Sequence, residues 1–372
     1  MLFHPYEIAI SGFSGTGKTT LAAAIVRSLS ARFTVGFYKH GCHRFTLDRE
    51  GKDSHVIRQA GAATVMISDP EHKAVISGTG GSTLRERRVF LECDLLLVEG
   101  LKELPLPKLL MVDREKKILG HLEAGSIPEV VALVETEPET VACRRFGLPV
   151  FHRDDINTIT AFVESFLAGQ VSRTPVSGLI LAGGQSMRMG CDKALLAYHS
   201  NNQLIHTASL LRPHCGEVFV SCRSEHAETY AALGLPVITD RYLETGPAGG
   251  VLSALQRYPE KAWIIVACDM PFLEEALFAS LVENRMPLRF ATAFRNAASQ
   301  KLEPLCTLYE PKSRTGLCMW HAEENLSLQS FLENCRIGEI TPGDSRAFGN
   351  VNDPASMEAA RHACGSAGKE AL

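Results

Sequence analysis

Two glycine-rich stretches hold the residues of this sequence whose types and spacing suit phosphate chemistry. One is GFSGTGKTT, Gly12 to Thr20, and the other is LAGGQSMRMGCDK, Leu181 to Lys193. Glycine lets a backbone come close to a bound phosphate, and lysine or arginine neutralises the phosphate charge. Because the two patterns differ, we expect two nucleotide sites with different tasks in one chain.

The first stretch matches the P-loop pattern G-x-x-x-x-G-K-[ST], directly after a predicted strand and directly before a predicted helix. Such a loop surrounds a phosphate with backbone N–H groups at a helix N-terminus. Lys18 should reach the β- and γ-phosphates, and the Thr19 hydroxyl should bind Mg²⁺. The predicted nucleotide contacts of this loop are Gly12, Ser14, Gly15, Thr16, Gly17, Lys18, Thr19 and Thr20.

An acidic residue on a neighbouring strand should complete this metal site, and DLLLVEG offers Asp94 and Glu99. The two residues are separated by about 16 Å along an extended strand, so both cannot face one site. Ligands of parallel sheets bind beyond the carboxyl ends of the strands. We therefore predict Glu99 as the metal ligand beside Thr19 and interpret Asp94 as a residue at the strand start.

Two further features of the first half leave its ligand open. No NKxD-type sequence is present, so the base preference of the P-loop is not indicated. The stretch KHGCHR contains His40, Cys42 and His43, which are residue types that bind metals. Because no fourth ligand follows at metal-site spacing, we interpret the stretch as a polar loop near the phosphates.

The second glycine-rich stretch is neither a P-loop nor a dinucleotide fingerprint, because it lacks both the Lys-Ser/Thr pair and G-x-G-x-x-G. Ala182, Gly183 and Gly184 should let the backbone approach a base and a triphosphate. Arg188 and Lys193 should neutralise a leaving pyrophosphate. This arrangement favours attack at the α-phosphorus over attack at the γ-phosphorus.

A carboxylate that could serve this second site lies in IIVACDMPF, where an apolar run ends in Cys268-Asp269. Asp269 should lie at the carboxyl end of its strand, on the same sheet edge as the Gly183 loop. A carboxylate there can hold Mg²⁺ against the α-phosphate and orient it for in-line displacement. We predict Asp269, Lys193 and Arg188 as the catalytic residues.

Several polar residues of the second half fit the same site less directly. PVITDR places Asp240 at another strand end, and TGPAGGVLSAL is a glycine-rich turn into a helix. QKLEPLCTLY and FGNVND present Glu303, Asn350 and Asn352, which we expect on loops suited to a polar second substrate.

Alternation of short β-rich runs with helix-period segments predicts two α/β domains with doubly wound parallel sheets. One helix should begin near Asp155, and its apolar Ile156, Ile159, Val163 and Phe166 recur at helical spacing. The predicted strands are Glu7–Ser11, Val35–Lys39, Leu95–Val98, Leu109–Val112, Val130–Val134, Leu179–Leu181, Val218–Ser221, Val237–Thr239 and Trp263–Ala267, with a last helix from Pro354. The predicted divisions are domains 1–168 and 178–365, a polar linker 169–177 and a tail 366–372.

Composition limits the other partners of the chain. A formal net charge of −4 argues against nucleic acid, because counterion-driven binding needs a basic face. The 11 cysteines form no CxxC pair, which favours a reduced, cytoplasmic compartment. MLFHPYEIAI is interpreted as a first strand and no run approaches the roughly 18 apolar residues of a membrane helix, so no membrane partner is expected.

Taken in order, the motifs of residues 177–365 resemble the molybdenum cofactor guanylyltransferase family, MobA. The matching stretches are LAGGQSMRMGCDKALL, ITD, GPAGGVLSAL, CDMPF, EPLCTLY and FGNVNDPASME. Residues 5–168 resemble the molybdopterin-guanine dinucleotide biosynthesis adaptor family, MobB, through GFSGTGKTTL, FYKHGCH, GKDSHVIRQAGA, DLLLVEGLK and LPVFHRDDINTITAF. The chain thus resembles a natural fusion of a P-loop NTPase-like domain with a Rossmann-like, GT-A-like nucleotidyltransferase domain.

The resemblance implies a Mg²⁺-dependent reaction in which GTP and Mo-molybdopterin give the guanine dinucleotide cofactor and pyrophosphate. Carried over by position, Leu181, Ala182 and Gly183 contact guanosine, and Gly184 belongs to the same loop. The further implied nucleotide contacts are Lys193, Ser221, Asp240 and Asp269, of which Asp269 binds the metal. Ser221 stands where relatives can have Asn. Asn350 and Asn352 map to a loop that faces the pterin.

The MobB resemblance implies an adaptor that binds GTP, hydrolyses it feebly and helps to deliver the substrate. Proteins of molybdenum insertion and molybdoenzyme maturation are the implied partners.

Three other functions stay open from the sequence. The second half could transfer CMP, although cytidylyltransferase relatives tend to have LAAG where this chain has Leu181 to Gly184, which favours guanine. It could be a sugar-phosphate nucleotidylyltransferase, which would leave the attached adaptor domain unexplained. It could also bind the cofactor as a GTP-dependent carrier without reacting, which pyrophosphate release would exclude.

Overall fold

The computed structural model describes residues 3–40, 50–77, 88–137, 141–183, 193–199, 201–242, 244–297, 299–342, 345–351 and 354–367. These residues form two units, Met1–Ala168 and Gly169–Leu372. Each unit has a central sheet with helices on it, which confirms the predicted α/β class.

The first unit is built on a six-stranded parallel sheet with the strand order β2-β5-β1-β6-β7-β8. Its strands and those of a separate hairpin are β1 Glu7–Ser11, β2 Val35–Lys39, β3 Thr64–Ser68, β4 Lys73–Ser77, β5 Leu95–Glu99, β6 Lys108–Met111, β7 Val130–Glu135 and β8 Val150–His152. Its helices are α1 Lys18–Leu29, α2 Asp53–Gln59, α3 Lys117–Glu123, α4 Val141–Arg144 and α5 Ile156–Ser172.

Apolar sequence buries two neighbouring inner strands of this sheet, β5 and β1, inside the unit. Every residue of β1 and of β5 is buried, as near-continuous apolar runs in parallel sheets require. Ile10 pairs with Glu99, so the two strands end side by side. The P-loop and the predicted acidic ligand therefore leave the sheet at the same edge.

Short elements of the first unit were not predicted. The antiparallel pair β3–β4 and the adjacent α2 form a small element of their own, with no buried residue in α2. The three-residue strand β8 was also missed. These elements are short or exposed, so their residues lack the long apolar periodicity on which the strand predictions depended.

Helix α5 follows the predicted pattern, because Ile159 and Val163 are fully buried. The segment 169–177 was expected to be a polar linker, and this expectation is wrong for most of its length. Helix α5 continues to Ser172, and the next strand begins at Val176. Gly169 does not end the helix, since an interior glycine costs only about 1 kcal/mol and Val171 in the following turn is buried.

The second unit has a seven-stranded sheet with the order β11-β10-β9-β12-β14-β13-β15. Its strands are β9 Val176–Leu181, β10 Val218–Cys222, β11 Val237–Thr239, β12 Ala262–Ala267, β13 Ala291–Arg295, β14 Leu302–Tyr309 and β15 Gly338–Ile340. Its helices are α6 Gln203–Leu211, α7 Ala227–Ala231, α8 Pro247–Arg257, α9 Glu275–Glu283, α10 Ser313–Ala322, α11 Leu328–Glu333 and α12 Pro354–Ala367, the last beginning where it was predicted.

This second sheet is mixed, whereas the sequence predicted a parallel one. Strand β14 runs antiparallel to both β12 and β13. Glu303 lies in β14 and not on the expected loop. Its neighbour Pro304 removes a backbone donor, and the β13–β14 pairing contains a register shift between Ala293 and Arg295. Because Pro304 disfavours a strand, β14 was not predicted, although it is an internal strand of the sheet.

The four neighbouring strands β11, β10, β9 and β12 are parallel, and they carry the predicted second site. Their core residues, such as Ile180, Ile264 and Val266, are fully buried. In the described part of the chain, no helix has both the length and the apolar character that crossing a membrane would need.

Candidate functional sites

The P-loop of the first unit has the backbone that a phosphate loop requires. Gly12, Gly15 and Gly17 have φ angles of 154°, 78° and 87°, which side chains at Cβ disfavour. A Cβ atom at Gly12 would also come within 2.9 Å of both Cβ and the carbonyl oxygen of Met111. Helix α1 begins directly afterwards at Lys18, so its unpaired N–H groups lie at the loop.

Three side chains from separate elements meet next to this loop. The Thr19 hydroxyl lies 2.9 Å from both carboxylate oxygens of Glu99. Lys39 Nζ lies 3.0 Å from the Thr19 hydroxyl and 3.0 Å from Glu99 Oε1. The structure therefore brings Thr19 and Glu99 together. Asp94 is fully buried at the other end of the strand, where it accepts a hydrogen bond of 2.8 Å from the Thr34 N–H.

An open cavity of about 940 Å³ lies over the loop. Lys18 Nζ donates a hydrogen bond of 2.6 Å to the Phe13 carbonyl within the loop. Burial lowers the pKa of Lys18, while the charge of Glu99 raises it and nearby lysines lower it further. The lining residues are Gly12, Phe13, Ser14, Gly15, Gly17, Lys18, Thr19, Thr20, Lys39, His40, Glu99, Gly100, Leu101 and Lys102.

Thr16 and the KHGCHR stretch are two further predicted features of the first half on which the structure bears. The Thr16 hydroxyl donates a hydrogen bond of 3.0 Å to the Phe13 carbonyl and so stabilises the loop itself. His40 lines the cavity, whereas Cys42 and His43 lie outside the described residues. Among the residues that the structure describes, no group of three or more His, Cys, Asp or Glu residues could hold a metal ion. Lys39 and Lys102 line the cavity but were not predicted as site residues. Their positive charge, at the end of one strand-like run and soon after another, was a signal that could have indicated them.

The second site lies where four parallel strands of the second unit end. Leu181 pairs with Ser221 on one side and with Ala267 on the other, and Cys222 pairs with Thr239. The residues that follow these strands are Ala182 and Gly183, Arg223, Asp240, and Cys268 and Asp269. The predicted contacts Leu181, Ala182, Gly183, Ser221, Asp240 and Asp269 thus share one sheet edge.

Gly183 and Asp240 are in close contact at this edge. A Cβ atom at Gly183 would lie 2.6 Å from Asp240 Oδ2, so any side chain at this position would have to displace the carboxylate. The other carboxylate oxygen accepts a hydrogen bond from the Ser221 hydroxyl. Burial raises the pKa of Asp240, while the Ser221 hydrogen bond and the charge of Arg223 lower it. Ser221 is therefore placed to orient Asp240.

Helix α8 packs against the same edge through glycines that sequence reasoning did not single out. A Cβ atom at Gly250 would lie 2.5 Å from Ser221 Oγ and 2.7 Å from a methyl group of Leu181. A Cβ atom at Gly249 would collide with the Tyr242 carbonyl and the Thr245 hydroxyl. The sequence TGPAGG contained this signal, since paired glycines inside a helix indicate close packing.

The remaining residues of the predicted second site differ in how far the structure describes them. Asp269 is the second residue after β12 and is partly exposed, and its carbonyl oxygen accepts a hydrogen bond of 2.9 Å from the Val351 N–H. Lys193 begins a 3₁₀ turn that ends at Leu195. The Lys193 side chain, Gly184, Arg188 and Asn352 lie outside the described residues.

Glu303 and Asn350 were predicted to face a second substrate. Glu303 Oε1 accepts a hydrogen bond of 3.1 Å from the Asn296 amide, and burial raises the pKa of its carboxyl group. Asn350 is exposed and lies next to Val351, whose N–H is bonded to Asp269. The backbone of the asparagine segment is therefore tied to the turn of Asp269.

These two sites define a two-unit nucleotide-binding protein, with a P-loop unit followed by a unit of the nucleotidyltransferase class. Residues 8–136 match the family model of molybdopterin guanine dinucleotide synthesis protein B, MobB. Residues 178–337 match the model of the MobA-like NTP transferase domain. The chain therefore contains a MobB domain at residues 8–136 and a MobA-like NTP transferase domain at residues 178–337, which confirms the fusion indicated by the motifs.

Individual relatives match parts of the chain. A molybdenum cofactor biosynthesis bifunctional protein of Synechocystis sp. is 33% identical over 187 residues, which are 50% of this chain and 53% of that protein. The matched region thus spans about half the length of that relative. A molybdenum cofactor guanylyltransferase of Cupriavidus necator is 27% identical over 49% of this chain and 94% of its own length. A molybdopterin-guanine dinucleotide biosynthesis adapter protein of Haemophilus influenzae is 36% identical over 29% of this chain and 64% of its own length.

Proposed function

We propose that this chain is a molybdenum cofactor guanylyltransferase with a fused GTP-binding adaptor domain. It transfers GMP from GTP to Mo-molybdopterin and releases pyrophosphate. The observation that carries the proposal is the shared sheet edge at which Gly183, Asp240 and Asp269 follow neighbouring parallel strands. Matches to guanylyltransferase relatives, such as one that covers 49% of this chain, support the choice of nucleotide.

The second unit provides the surfaces that the transfer needs. Leu181, Ala182 and Gly183 offer backbone to guanosine, and no side chain at Gly183 separates the nucleotide from Asp240. Lys193, with Arg188 and Gly184, belongs to the loop that neutralises the departing pyrophosphate. In this proposal an oxygen of the cofactor attacks the α-phosphorus, the bond between the α-phosphorus and the oxygen that bridges to the β-phosphate breaks, and pyrophosphate leaves.

Asp269 is the residue that would hold Mg²⁺ in the second unit, and Thr19 with Glu99 would hold it in the first. These residues fit the ion, because Mg²⁺ prefers hydroxyl and carboxylate oxygens and keeps several of its waters. Bound Mg²⁺ supplies charge neutralisation at the phosphates. In the first unit, the Thr19 hydroxyl and the Glu99 carboxylate are only 2.9 Å apart, so one ion could contact both after a small adjustment.

The first unit binds GTP as an adaptor and is not the transferase. Its loop and Lys18 are suited to the β- and γ-phosphates, which leaves the α-phosphate without an attacking group. The resemblance to the MobB adaptors implies that hydrolysis of GTP there is feeble. The proposal assigns Asn350 and Asn352 to binding of the pterin, and the product passes to proteins of molybdenum insertion and molybdoenzyme maturation in the cytoplasm.

Transfer of a radiolabelled α-phosphate tests this proposal. The full chain is incubated with GTP labelled at the α-phosphate, Mg²⁺ and Mo-molybdopterin, and the label is followed by chromatography. Label in a cofactor dinucleotide together with free pyrophosphate supports guanylyl transfer. Transfer from labelled CTP at a greater rate would identify a cytidylyltransferase, and binding without any pyrophosphate release would identify a carrier.

A further inference from the structure

Three consecutive carbonyl groups hold the turn that carries Asp269. The Asp269 carbonyl accepts a hydrogen bond of 2.9 Å from the Val351 N–H. The Met270 carbonyl accepts one of 3.2 Å from the Gln203 side-chain amide. The Pro271 carbonyl lies 2.9 Å from His199 Nε2, which must carry the proton of this hydrogen bond. With all three carbonyls engaged by other segments, the turn has little freedom to change its conformation.

Gln203 also contacts the segment that begins at Lys193. Its backbone N–H donates a hydrogen bond of 2.7 Å to the Leu196 carbonyl, directly after the 3₁₀ turn Lys193–Leu195. Its side chain is 1% exposed and donates to Met270 and, at 3.2 Å, to the Thr207 hydroxyl. One residue therefore joins the backbone of the Lys193 segment to the turn of Asp269.

An apolar cluster contains residues from the segments that Gln203 joins. Tyr198 and Val351 are buried together with Ala360 of α12, and Leu196 and Phe272 pack against them. The cluster thus contains the Lys193 segment, the turn after Asp269 and the segment after Asn350. A hydrogen bond in such surroundings is stronger than in water, and a carbonyl that loses its donor there is poorly compensated.

We propose that Gln203 is a positioning residue for nucleotidyl transfer, which fixes the Asp269 turn relative to the Lys193 segment, with His199 holding the next carbonyl. The proposal rests on the transferase function proposed above. Transfer at the α-phosphorus needs groups from both segments at fixed separations, and a displacement of about 1 Å can cost about a hundredfold in rate. In this proposal Gln203 contacts neither nucleotide nor metal. It acts through its hydrogen bonds to the backbone carbonyl groups of the two segments.

Replacing the amide with an apolar group of similar length tests the connection. Gln203→Met keeps the volume and removes the donor to Met270. Thr207→Val is the matched control, because it removes the other partner of the same buried amide and leaves the bond to Met270. Amide hydrogen exchange of residues 268–273 reports the mobility of the turn. Pyrophosphate release at saturating GTP, Mg²⁺ and Mo-molybdopterin reports kcat.

We expect Gln203→Met to speed exchange of the turn by at least about tenfold and to lower kcat by about ten- to a hundredfold with KM for GTP within about threefold. Thr207→Val should keep both values within about twofold of wild type. His199→Phe, at a partly exposed position that keeps the ring stack with His206, should give a smaller change in the same direction and serves if Gln203→Met does not fold.

Unchanged exchange of the turn in Gln203→Met would overturn the proposal, whatever the activity of the wild type. So would equal kcat values for Gln203→Met and Thr207→Val, because a merely structural role predicts equal effects. If the wild-type chain forms no dinucleotide with GTP, the transferase function fails instead. The exchange measurement still decides whether Gln203 holds the turn.

Discussion

The Asp240 carboxylate lies against the backbone of Gly183, so closely that a Cβ atom at Gly183 would come within 2.6 Å of Asp240 Oδ2. Gly183 follows β9, and Asp240 follows β11. Both strands pair with β10, and all of them end at the sheet edge where four parallel strands end. This contact makes a specific test of the second site possible, because the smallest added side chain must displace the carboxylate.

We expect Gly183→Ala to reduce guanylyl transfer by about a hundredfold while the fold is retained. The added methyl group pushes Asp240 away from the proposed position of the nucleotide and narrows the loop proposed to contact guanosine. Pyrophosphate release measures the rate, and circular dichroism measures the fold. Gly216→Ala is the control, since the nearest atom to its Cβ would be the Val176 carbonyl oxygen at 3.9 Å. Equal activity of the two variants would exclude a role of the Gly183–Asp240 contact.

Asp240→Asn should separate stability from activity. Burial raises the pKa of Asp240, so its contribution to stability is present below the pKa of an unfolded aspartate and is lost as the pH rises through the raised value. The neutral amide of asparagine does not ionise, so the variant does not lose this stability as the pH rises. We expect the variant to melt at a higher temperature than wild type at pH 7, to show no such gain near pH 3, and to transfer GMP poorly. Melting curves at the two pH values decide, and a lower melting temperature at pH 7 would contradict the prediction.

Sequence reasoning predicted where the candidate residues of both sites lie in the fold better than it predicted their contacts. The P-loop pattern and the strand-end position selected Glu99 over Asp94, and the structure places Glu99 against Thr19 and Asp94 at the far strand end. This choice was possible because strand geometry alone separates the two acids. The same rule placed Gly183, Asp240 and Asp269 on one sheet edge.

Contacts between distant segments were beyond the sequence. Nothing local indicates that Gln203 reaches the Met270 carbonyl, because the bond joins residues far apart in the chain and depends on the packing around it. Strand β14 was missed because Pro304 and Glu303 oppose strand formation locally, while pairing with β12 and β13 overrides this preference. The segment 169–177 was misassigned for a similar reason, since tertiary packing extends α5 through Gly169.

Lys108 should make the stability of the first unit depend on alkaline pH. This lysine is fully buried, and its Nζ donates hydrogen bonds of 2.7 Å to the Leu104 carbonyl and 2.5 Å to the Pro128 carbonyl. Burial lowers the pKa of Lys108 to about 8, although the charge of Glu129 raises it. Because the folded pKa lies below the unfolded one, the contribution is full above the unfolded value of 10.5 and is lost as the pH falls through about 8.

We therefore expect wild type to gain stability over Lys108→Met as the pH rises from about 8 to about 10.5. Calorimetry measures the unfolding temperatures of both proteins at several pH values, for the unfolding transition that the substitution shifts. The difference between the two temperatures should grow over this range. Exposed Lys117→Met is the control and should show no such trend. A constant difference between wild type and Lys108→Met over this range would mean that Lys108 keeps an ordinary pKa.

The two nucleotide sites should respond differently to substitution of their central residues. We expect Asp269→Ala to abolish dinucleotide formation with the fold preserved, because no other acid follows β12 at this edge in the described residues. Lys18→Ala should retain substantial transfer, because the proposal assigns the P-loop to the adaptor and not to the transferase. Both variants are assayed with α-labelled GTP and Mo-molybdopterin. Full activity of Asp269→Ala would remove this residue from the mechanism, and an inactive Lys18→Ala would place the chemistry in the first unit.

Glu99→Gln should remove the Mg²⁺ dependence of GTP binding in the first unit. Its carboxylate faces the Thr19 hydroxyl and also forms an ion pair with Lys39, so loss of its charge weakens the cation site while the amide keeps the shape. The measurement is titration of a fluorescent GTP analogue with and without Mg²⁺, in an Asp269→Ala background that isolates the P-loop. We expect the affinity for Mg²⁺ to fall by about ten- to a hundredfold, and the exposed Glu103→Gln to behave as wild type. If Mg²⁺ strengthens nucleotide binding equally in Glu99→Gln and Glu103→Gln, the ligand must be another residue, and the choice of Glu99 from its strand-end position is wrong.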